Sequence, residues 1–310
     1  MNSKISIVTP SFNQGKYLEE TIDSVLSQEY QDLEYIIIDG GSTDESVEII
    51  KKYQKYLKYW VSETDYGQSH AIQKGLEHCT GDIFNWLNSD DLLVKESLNT
   101  IAENFKQRDI DILSGNEIHF SGNEEVLKHG TRVHEQMELN LLHAAFYQPS
   151  TYWKLDVFRR YSLVTDLHYL MDTFLWVQYL LDRGTYAICK IDEPIAKFRL
   201  HEHSKTVSQN DAFEKERWTL RFRLAKDLYG LNEKFLNLEK LLGSTVQLPT
   251  LKARIAIDCD RLGIAFLEHL LGALVYQGFS SEARKVAYHT LWKSGKSRFY
   301  YHHTLKALLS

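Results

Sequence analysis

Two adjacent carboxylates, Asp90 and Asp91, follow Asn88 and Ser89 directly after an apolar run at 83–87. Two like charges side by side at the end of a buried strand are costly unless something positive neutralises them. A hard divalent cation fits, because Mg²⁺ typically uses one or two carboxylates together with substrate phosphates. A surface turn with Asp91 capping a helix would use the same residues, so the pair gains its meaning from its position. Asp39 ends a second apolar run at 33–38, just before Gly40-Gly41. There a carboxylate can accept hydrogen bonds from a base or ribose, or simply shape a turn. After the first apolar run, Thr9, Pro10, Ser11 and Phe12 offer backbone contacts and a ring on which a nucleobase could stack. Phe12 suits a core position equally well.

What must position these residues is a βαβα alternation. A continuous apolar run at 5–9 reads as a strand buried on both faces, and 33–38, 57–61, 83–87 and 110–113 read as further strands. Between them lie amphipathic stretches, including 69–78 and 96–104, and Ser42 or Asp44 can cap the helix that carries Val47, Ile49 and Ile50. This order predicts a mostly parallel, Rossmann-like α/β sheet flanked by helices. Such sheets bind ligands at the carboxyl ends of their strands. The acidic and polar loops at 9–11, 39, 63–65 and 88–91 therefore converge on one edge. Further on, 118–120 and 126–129 are expected to pair around Gly122-Asn123. A helix is expected at 171–181, strands near 186–191 and 195–200, then helices alone at 211–229, 233–242, 251–275 and 281–292. The stretch 265–292, turning at Gly278, has the pattern of a single helical hairpin.

Composition limits the remaining possibilities. The 310 residues are 43% hydrophobic and 25% charged, as in ordinary globular proteins. Cys79, Cys189 and Cys259 are widely spaced and odd in number, which fits neither a disulfide framework nor a metal-binding spacing and favours a reducing compartment. With the first strand so near Met1 and no apolar run of spanning length, a cytoplasmic chain is expected. The net charge of −6 is uneven: residues 211–310 carry 16 Lys/Arg against 10 Asp/Glu, and residues 1–210 carry 20 against 32. An acidic domain that binds a diphosphate needs a cation to mediate. The basic tail, with its aromatic-rich 293–303, suits either a solvated face or peripheral contact with a membrane at the inner face of the cell. No nucleic-acid-binding motif is present.

The segments ISIVTPSFNQGKYLEETIDSVLSQ, LEYIIIDGGSTDESVEII, YWVSETDYGQSHAIQKGL, GDIFNWLNSDDLL, LHYLMDTFLW and FRLHEHSKT, in this order, resemble glycosyltransferase family 2. These are GT-A-fold sugar-nucleotide transferases, and the likeness is greatest to the bacterial colanic-acid and capsule-type branch. It runs over about 5–208. The resemblance implies a GT-A domain at 1–208, with a nucleotide-binding half at 1–115 and an acceptor-side half at 116–208, followed by a helical region at 209–310. It also implies roles. Asp39 contacts the nucleoside base beside Thr9, Pro10 and Ser11; Asp91 is the metal-binding last carboxylate of a DxD-type motif, with Asp90 its partner near the ribose or metal. Gln68 belongs to the donor pocket, Asp172 is the catalytic base, and His201 closes on the metal or diphosphate with support from Arg199. His168 is placed to orient the acceptor, below Asp172 in importance. In the HxH pair only His201, not His203, matches.

The implied reaction asks for these residue types. Displacing a nucleoside diphosphate from an anomeric carbon builds charge on the leaving phosphate, which Mg²⁺ or Mn²⁺ stabilises as a Lewis acid. The acceptor hydroxyl must lose a proton to a positioned carboxylate as it attacks. Asp172 lies among apolar residues between Met171 and Phe174, where desolvation would raise its pKa; capping of the following helix is the competing explanation. Inversion is the expected outcome, with a UDP-sugar the favoured donor and a saccharide or lipid-linked saccharide of a surface polysaccharide the acceptor. Two positions depart from the family pattern: His70, in the donor pocket that the resemblance implies, stands where GQSDAI has a carboxylate, and Phe174 replaces an acidic residue common in MDYDLW. The alternatives are a sugar-nucleotide nucleotidyltransferase, which would release pyrophosphate and usually carries a Gly-rich basic loop after its first strand, and a non-catalytic sugar-nucleotide-binding scaffold, against which Asp90, Asp91 and Asp172 argue.

Overall fold

The computed structural model describes residues 3–143, 146–202, 204–205 and 209–294. His203 and the segment 295–310, with most of the basic aromatic tail, lie outside the described residues. Nine strands form one sheet in the order β3-β2-β1-β4-β8-β6-β9-β5, with β7 pairing β6. β1 (Ile5–Ser11), β2 (Leu33–Asp39), β3 (Tyr59–Ser62) and β4 (Ile83–Trp86) are parallel neighbours. The helices between them are α1 (Gly15–Leu26), α2 (Ser46–Tyr53) and α3 (Gln68–Glu77). Beyond β4 the direction changes. β5 (Leu92–Leu93) pairs antiparallel with the far end of β9 (Ile188–Arg199), and β8 (Thr151–Lys154) lies antiparallel between β4 and β6 (Ile112–Ser121). The parallel, helix-flanked sheet expected from the sequence is therefore the first half, and the second half curls it with antiparallel members.

Alternation along each strand explains the two cores. Ile5, Ile7, Tyr35, Ile37, Ile83 and Leu113 face Leu18, Ile22 and Val25 of α1 and Leu98 and Ile101 of α4 (Ser97–Gln107). Val8, Ile36, Ile38, Phe84, Trp86, Ile112 and Trp153 face the other way. They meet α3, α5 (Met137–Leu142), α6 (Leu155–Phe158), α7 (Met171–Arg183) and the later helices. Each such side chain buried is worth about 1.5–3 kcal/mol, and burial on both faces is why β1, β2 and β4 read as largely apolar runs. Gly75 is required here: a Cβ would meet Val8 Cγ1 at 2.5 Å, so α3 lies directly on β1.

Several details differ from the sequence expectations for physical reasons. The strands expected near 186–191 and 195–200 are one strand, β9, which passes Pro194 by shifting register against Asn116. A bulge accommodates a residue with no N–H. The expected hairpin forms, with Ser121 opposite Glu124 of β7 (Glu124–Lys128) and Gly122 at φ 57°. In the last third, α8 (Asn210–Leu224) gives way to a π turn at Ala225–Tyr229. The helix expected from 251 starts only at α11 (Cys259–Tyr276), where the Asp258 side chain accepts from the Arg261 N–H. Between them 233–242 splits into α9 (Glu233–Leu236) and α10 (Glu239–Leu242). α12 (Ser280–Ser294) completes the expected hairpin with α11. α8 and α11 contribute Trp218, Leu220, Phe222, Leu262, Phe266 and Leu270 to the same core cluster as Val8 and Trp153. Among the described residues no helix is long and apolar enough to cross a membrane, and all three cysteines are free.

Candidate active site

Strand register sets the first row of the site. Ser11 lies opposite Asp39, and Asp39 opposite Ser62, so the three stand side by side at the carboxyl edge. Asp39 is fully buried. Its Oδ2 accepts the N–H of Gly41 (3.2 Å) and Ser42 (2.9 Å) and the Ser62 hydroxyl (2.6 Å), and its Oδ1 accepts the Ser42 hydroxyl (2.5 Å). The carboxylate thus shapes the loop after β2 as well as standing at the edge. Ser11 Oγ, by contrast, is buried with no hydrogen-bond partner among the described residues, a polar group left waiting for one. Thr9 is also buried, and its hydroxyl is used within the protein on the Tyr35 hydroxyl at 3.1 Å. Pro10 is buried beside them, and Phe12 is 61% exposed, which excludes a core role for that ring.

The second row comes from the loop after β4. Asp91 is fully buried; Oδ1 accepts the backbone N–H of Arg199 at 3.1 Å and Oδ2 accepts from Asn88 Nδ2 at 3.1 Å. The Thr21 hydroxyl of α1 fixes the same turn by donating to the Ser89 and Asp91 carbonyls. Burial, then the charge of Asp90, push the Asp91 carboxyl well above the usual carboxylate range. That is the behaviour of a carboxylate pair short of positive charge. Asp90 is partly exposed, and its Oδ2 lies 3.0 Å from His201 Nε2. Two carboxylates are what Mg²⁺ or Mn²⁺ takes from a protein when a diphosphate fills its remaining positions; among the described residues no three His, Cys, Asp or Glu side chains are grouped so as to hold a metal ion by themselves. Arg199 serves this row by structure. Its guanidinium lies over the Tyr17 and Phe120 rings at 4.8 and 4.4 Å, and it donates to the Asp90 carbonyl (2.8 Å) and to Glu20 (2.6 Å). An open cleft of about 380 Å³ beside His201 is lined by Lys16, Tyr17, Gly122, Arg199 and Glu202.

The third row links the sheet edge to α7. Gln68 opens α3; its Nε2 donates to Asn88 Oδ1 at 2.6 Å and its Oε1 accepts from Lys205 Nζ at 3.3 Å. Lys205 also donates to the His168 carbonyl at 3.0 Å; desolvation holds its ammonium below the usual lysine range, against the nearby charges of Glu216, Asp172 and Asp90, which favour the charged form. A hydrogen-bonded path therefore runs Asp91, Asn88, Gln68, Lys205, His168. Ser69 extends the link, since its hydroxyl lies 2.7 Å from Met171 Sδ. Asp172, in the first turn of α7, is half-buried. Desolvation pushes its carboxyl up to about 6 against the pull of the Thr173 N–H (2.6 Å), the Thr173 hydroxyl and Lys205. The His168 side chain is exposed, with Nδ1 above Gly67, whose φ of 100° only glycine adopts readily. His70 faces outward from this path: its Nδ1 accepts the Tyr66 N–H at 3.2 Å and its ring packs on Tyr66 at 4.9 Å.

The fold thus links Gln68, Asn88, Asp91, Lys205 and the His168 backbone by hydrogen bonds, sets His201 against Asp90 and Lys205 near Asp172, and places Asp39 and Ser11 at the carboxyl ends of the neighbouring strands. His70 braces the loop before α3, and the Thr9 hydroxyl turns into the protein. Sequence reasoning missed Lys205 and Glu216. Lys205 sits in the FRLHEHSKT segment, four residues after His201, and a cation that close to a presumed diphosphate contact was the available signal. Glu216 had none.

A curled α/β sheet with acidic loops at the carboxyl ends of its first strands is the architecture of the GT-A glycosyltransferases. Solved structures of that fold superpose on the chain. Residues 1–349 of TarS from S. aureus give a TM-score of 0.61 at 20% identity, covering 89% of this chain and 74% of that one. The same protein in complex with UDP-GlcNAc gives 0.60 at 17% identity, over 94% and 81%. The profile described as Glycosyl transferase family 2 matches residues 6–169. The chain belongs to that family. Glycosyltransferase GlyG of Streptococcus pneumoniae serotype 4 is 32% identical over 119 residues, 37% of this chain and 40% of that one. The uncharacterized glycosyltransferase RT0329 of Rickettsia typhi is 26% identical over 212 residues, 65% of each chain. The chain thus spans about 40% of the length of the first relative and under two thirds of the second.

Proposed function

We propose that this chain transfers a sugar from a nucleoside-diphosphate donor to an acceptor hydroxyl, with inversion at the anomeric carbon. The observation that carries this reading is the hydrogen-bonded path from the buried Asp91 through Asn88, Gln68 and Lys205 to the segment bearing Asp172. It joins a phosphate-side acidic pair to a carboxyl of raised pKa. Family membership supports the reaction class, and the complex of TarS with UDP-GlcNAc supports a UDP-sugar as the first donor to test.

The donor's base lies along Ser11 and Asp39, where the unpartnered Ser11 hydroxyl gains a bond, and the diphosphate lies over Asp90 and Asp91. Asp90 and Asp91, with His201 beside them, would hold a divalent cation, which when bound would supply Lewis-acid neutralisation of the leaving diphosphate. Lys205 adds a positive charge on the opposite side, held by Gln68 and the His168 carbonyl. Asp172 takes the proton from the acceptor hydroxyl as that oxygen bonds to the anomeric carbon and the bond to the diphosphate breaks. A carboxyl raised to about 6 is better matched to this proton than an ordinary one and is still mostly ionised at neutral pH. His168, exposed beside the opening, orients the acceptor. The likeness to the colanic-acid and capsule-type branch supports a saccharide or lipid-linked saccharide acceptor, in surface polysaccharide synthesis.

The test is a panel of UDP-, GDP-, CDP- and dTDP-sugars scored by thermal shift with and without Mn²⁺, followed by product analysis. Release of a nucleoside diphosphate with a new glycosidic bond is the expected result. Release of pyrophosphate would instead identify a nucleotidyltransferase, and stabilisation without turnover a binding protein.

A further inference from the structure

Helix α8 sends one carboxylate inward. Glu216 is 3% exposed, yet no lysine or arginine is hydrogen-bonded to it among the described residues. Its partners are three consecutive backbone N–H groups: His168 donates to Oε1 at 3.0 Å, and Tyr169 and Leu170 donate to Oε2 at 3.0 and 2.9 Å. Successive amides converging on one anion form a concave cradle, and bonds to an ionised acceptor are stronger than neutral ones. The next residue, Met171, opens α7, and Asp172 follows.

The same segment is held elsewhere too. Lys205 binds the His168 carbonyl, the Tyr169 hydroxyl is bonded to Gln209, and the Tyr169 ring packs on Phe213 at 5.0 Å. Gln209, Phe213 and Glu216 all lie at or within the start of α8. A position needed only to fill space between helices would take an apolar residue, because an ion is far costlier to bury. A buried carboxylate that collects three amides fixes the height and tilt of the chain that carries them.

We propose that Glu216 is a positioning residue for transfer: it locks residues 168–170 and so sets the aim of the Asp172 carboxylate from the adjoining helical region. This rests on Asp172 being the base. It also makes the helical region part of the catalytic unit.

The test uses the full chain with Glu216→Gln, Asp172→Asn and the double variant. In the ligand-free protein, amide exchange at His168, Tyr169 and Leu170 is expected to accelerate at least about 10-fold in Glu216→Gln, with exchange in β1, β2 and β4 unchanged. With UDP-N-acetylglucosamine as donor, kcat is expected to fall about 10- to 100-fold while the donor KM stays within about twofold, since a small misplacement of the base costs that much. The double variant is expected to be no slower than Asp172→Asn alone. If Glu216→Gln does not fold, Glu216→Asp, which keeps the charge and retracts it by one methylene, is measured the same way. Unchanged exchange at the three amides overturns the proposal. So does faster exchange with wild-type kcat, or a loss in the double variant that multiplies the two single losses. Wild-type turnover by Asp172→Asn overturns the base assignment and this proposal with it. If the wild-type chain does not turn over UDP-N-acetylglucosamine, the donor reading fails and the exchange measurement alone decides the positioning.

Discussion

His201 Nε2 stands 3.0 Å from Oδ2 of Asp90, so the chain just past β9 meets the loop after β4 at a single carboxylate. The two residues are 111 positions apart in the chain, and Arg199 draws their segments together by donating to the Asp90 carbonyl and, through its backbone, to Asp91. If a diphosphate lies over this pair as proposed, its binding is coupled to the contact between these two segments.

That coupling predicts how donor affinity responds to loss of the acidic pair. Calorimetry with the preferred nucleotide sugar should show affinity falling at least about 10-fold on chelation and again on Asp91→Ala, since each removes charge compensation at the diphosphate. Equal affinity in all three conditions would remove the cation from the reaction.

For Asp172 the expectation concerns pH as well as rate. Asp172→Asn should lower kcat by about 10²–10⁴-fold, the usual worth of a general base. In the wild type, activity should rise with pH along an acid limb near 6, as the carboxyl ionises. Stability should run the other way. A carboxyl whose folded pKa is raised contributes stability below its unfolded value and loses that contribution as pH rises through about 6. Asp172→Asn should thus raise the thermal midpoint at pH 8 relative to wild type and leave it nearly unchanged at pH 4. A midpoint shift of the same size at both pH values would contradict the burial argument.

Lys205→Met separates two effects of one cation. Loss of its charge beside the diphosphate should raise the donor KM and lower kcat, by about 10-fold in kcat/KM, the scale of about 1.4 kcal/mol. Because Lys205 also lowers the Asp172 pKa, the acid limb should move to higher pH in the variant. A pH profile that does not move would place Lys205 away from the base.

Glu34 gives a prediction remote from the chemistry. It lies near the start of β2, accepting from Ser6, Thr80 and Lys58, and these bonds outweigh its burial and hold its carboxyl at about 2. Its stabilisation is complete above the unfolded value and is lost as pH falls toward 2. Glu34→Gln should cost up to about 3 kcal/mol near neutral pH, read as a lower urea midpoint, with donor affinity unchanged. A variant as stable as wild type at pH 7 would show that the network contributes nothing.

β1, β2 and β4 were legible because burial on both faces leaves largely apolar runs, and the polar loops after them were legible because each follows one directly. The site residues that depend on where distant segments meet were not. Nothing local distinguishes Glu216, in the EKERW stretch of a helix, from a solvated surface glutamate; only packing of α8 against 168–170 gives it three amides. Arg199 was legible as part of the site, yet its side chain turned out to face Tyr17 and Phe120, a detail set by the tertiary fold. The late start of α11 was missed because an apolar periodicity continues upstream of Asp258, while the capping bond to Arg261 decides the boundary.

The apolar cluster that runs from Val8 and Trp153 into Trp218, Phe222 and Phe266 has an evolutionary consequence. Catalytic halves of such transferases could exchange their trailing helices freely only if the seam between them were polar. Here a foreign set of helices would have to present an apolar face that fits the same cluster as Trp153 and Trp176, or leave part of that cluster in contact with water.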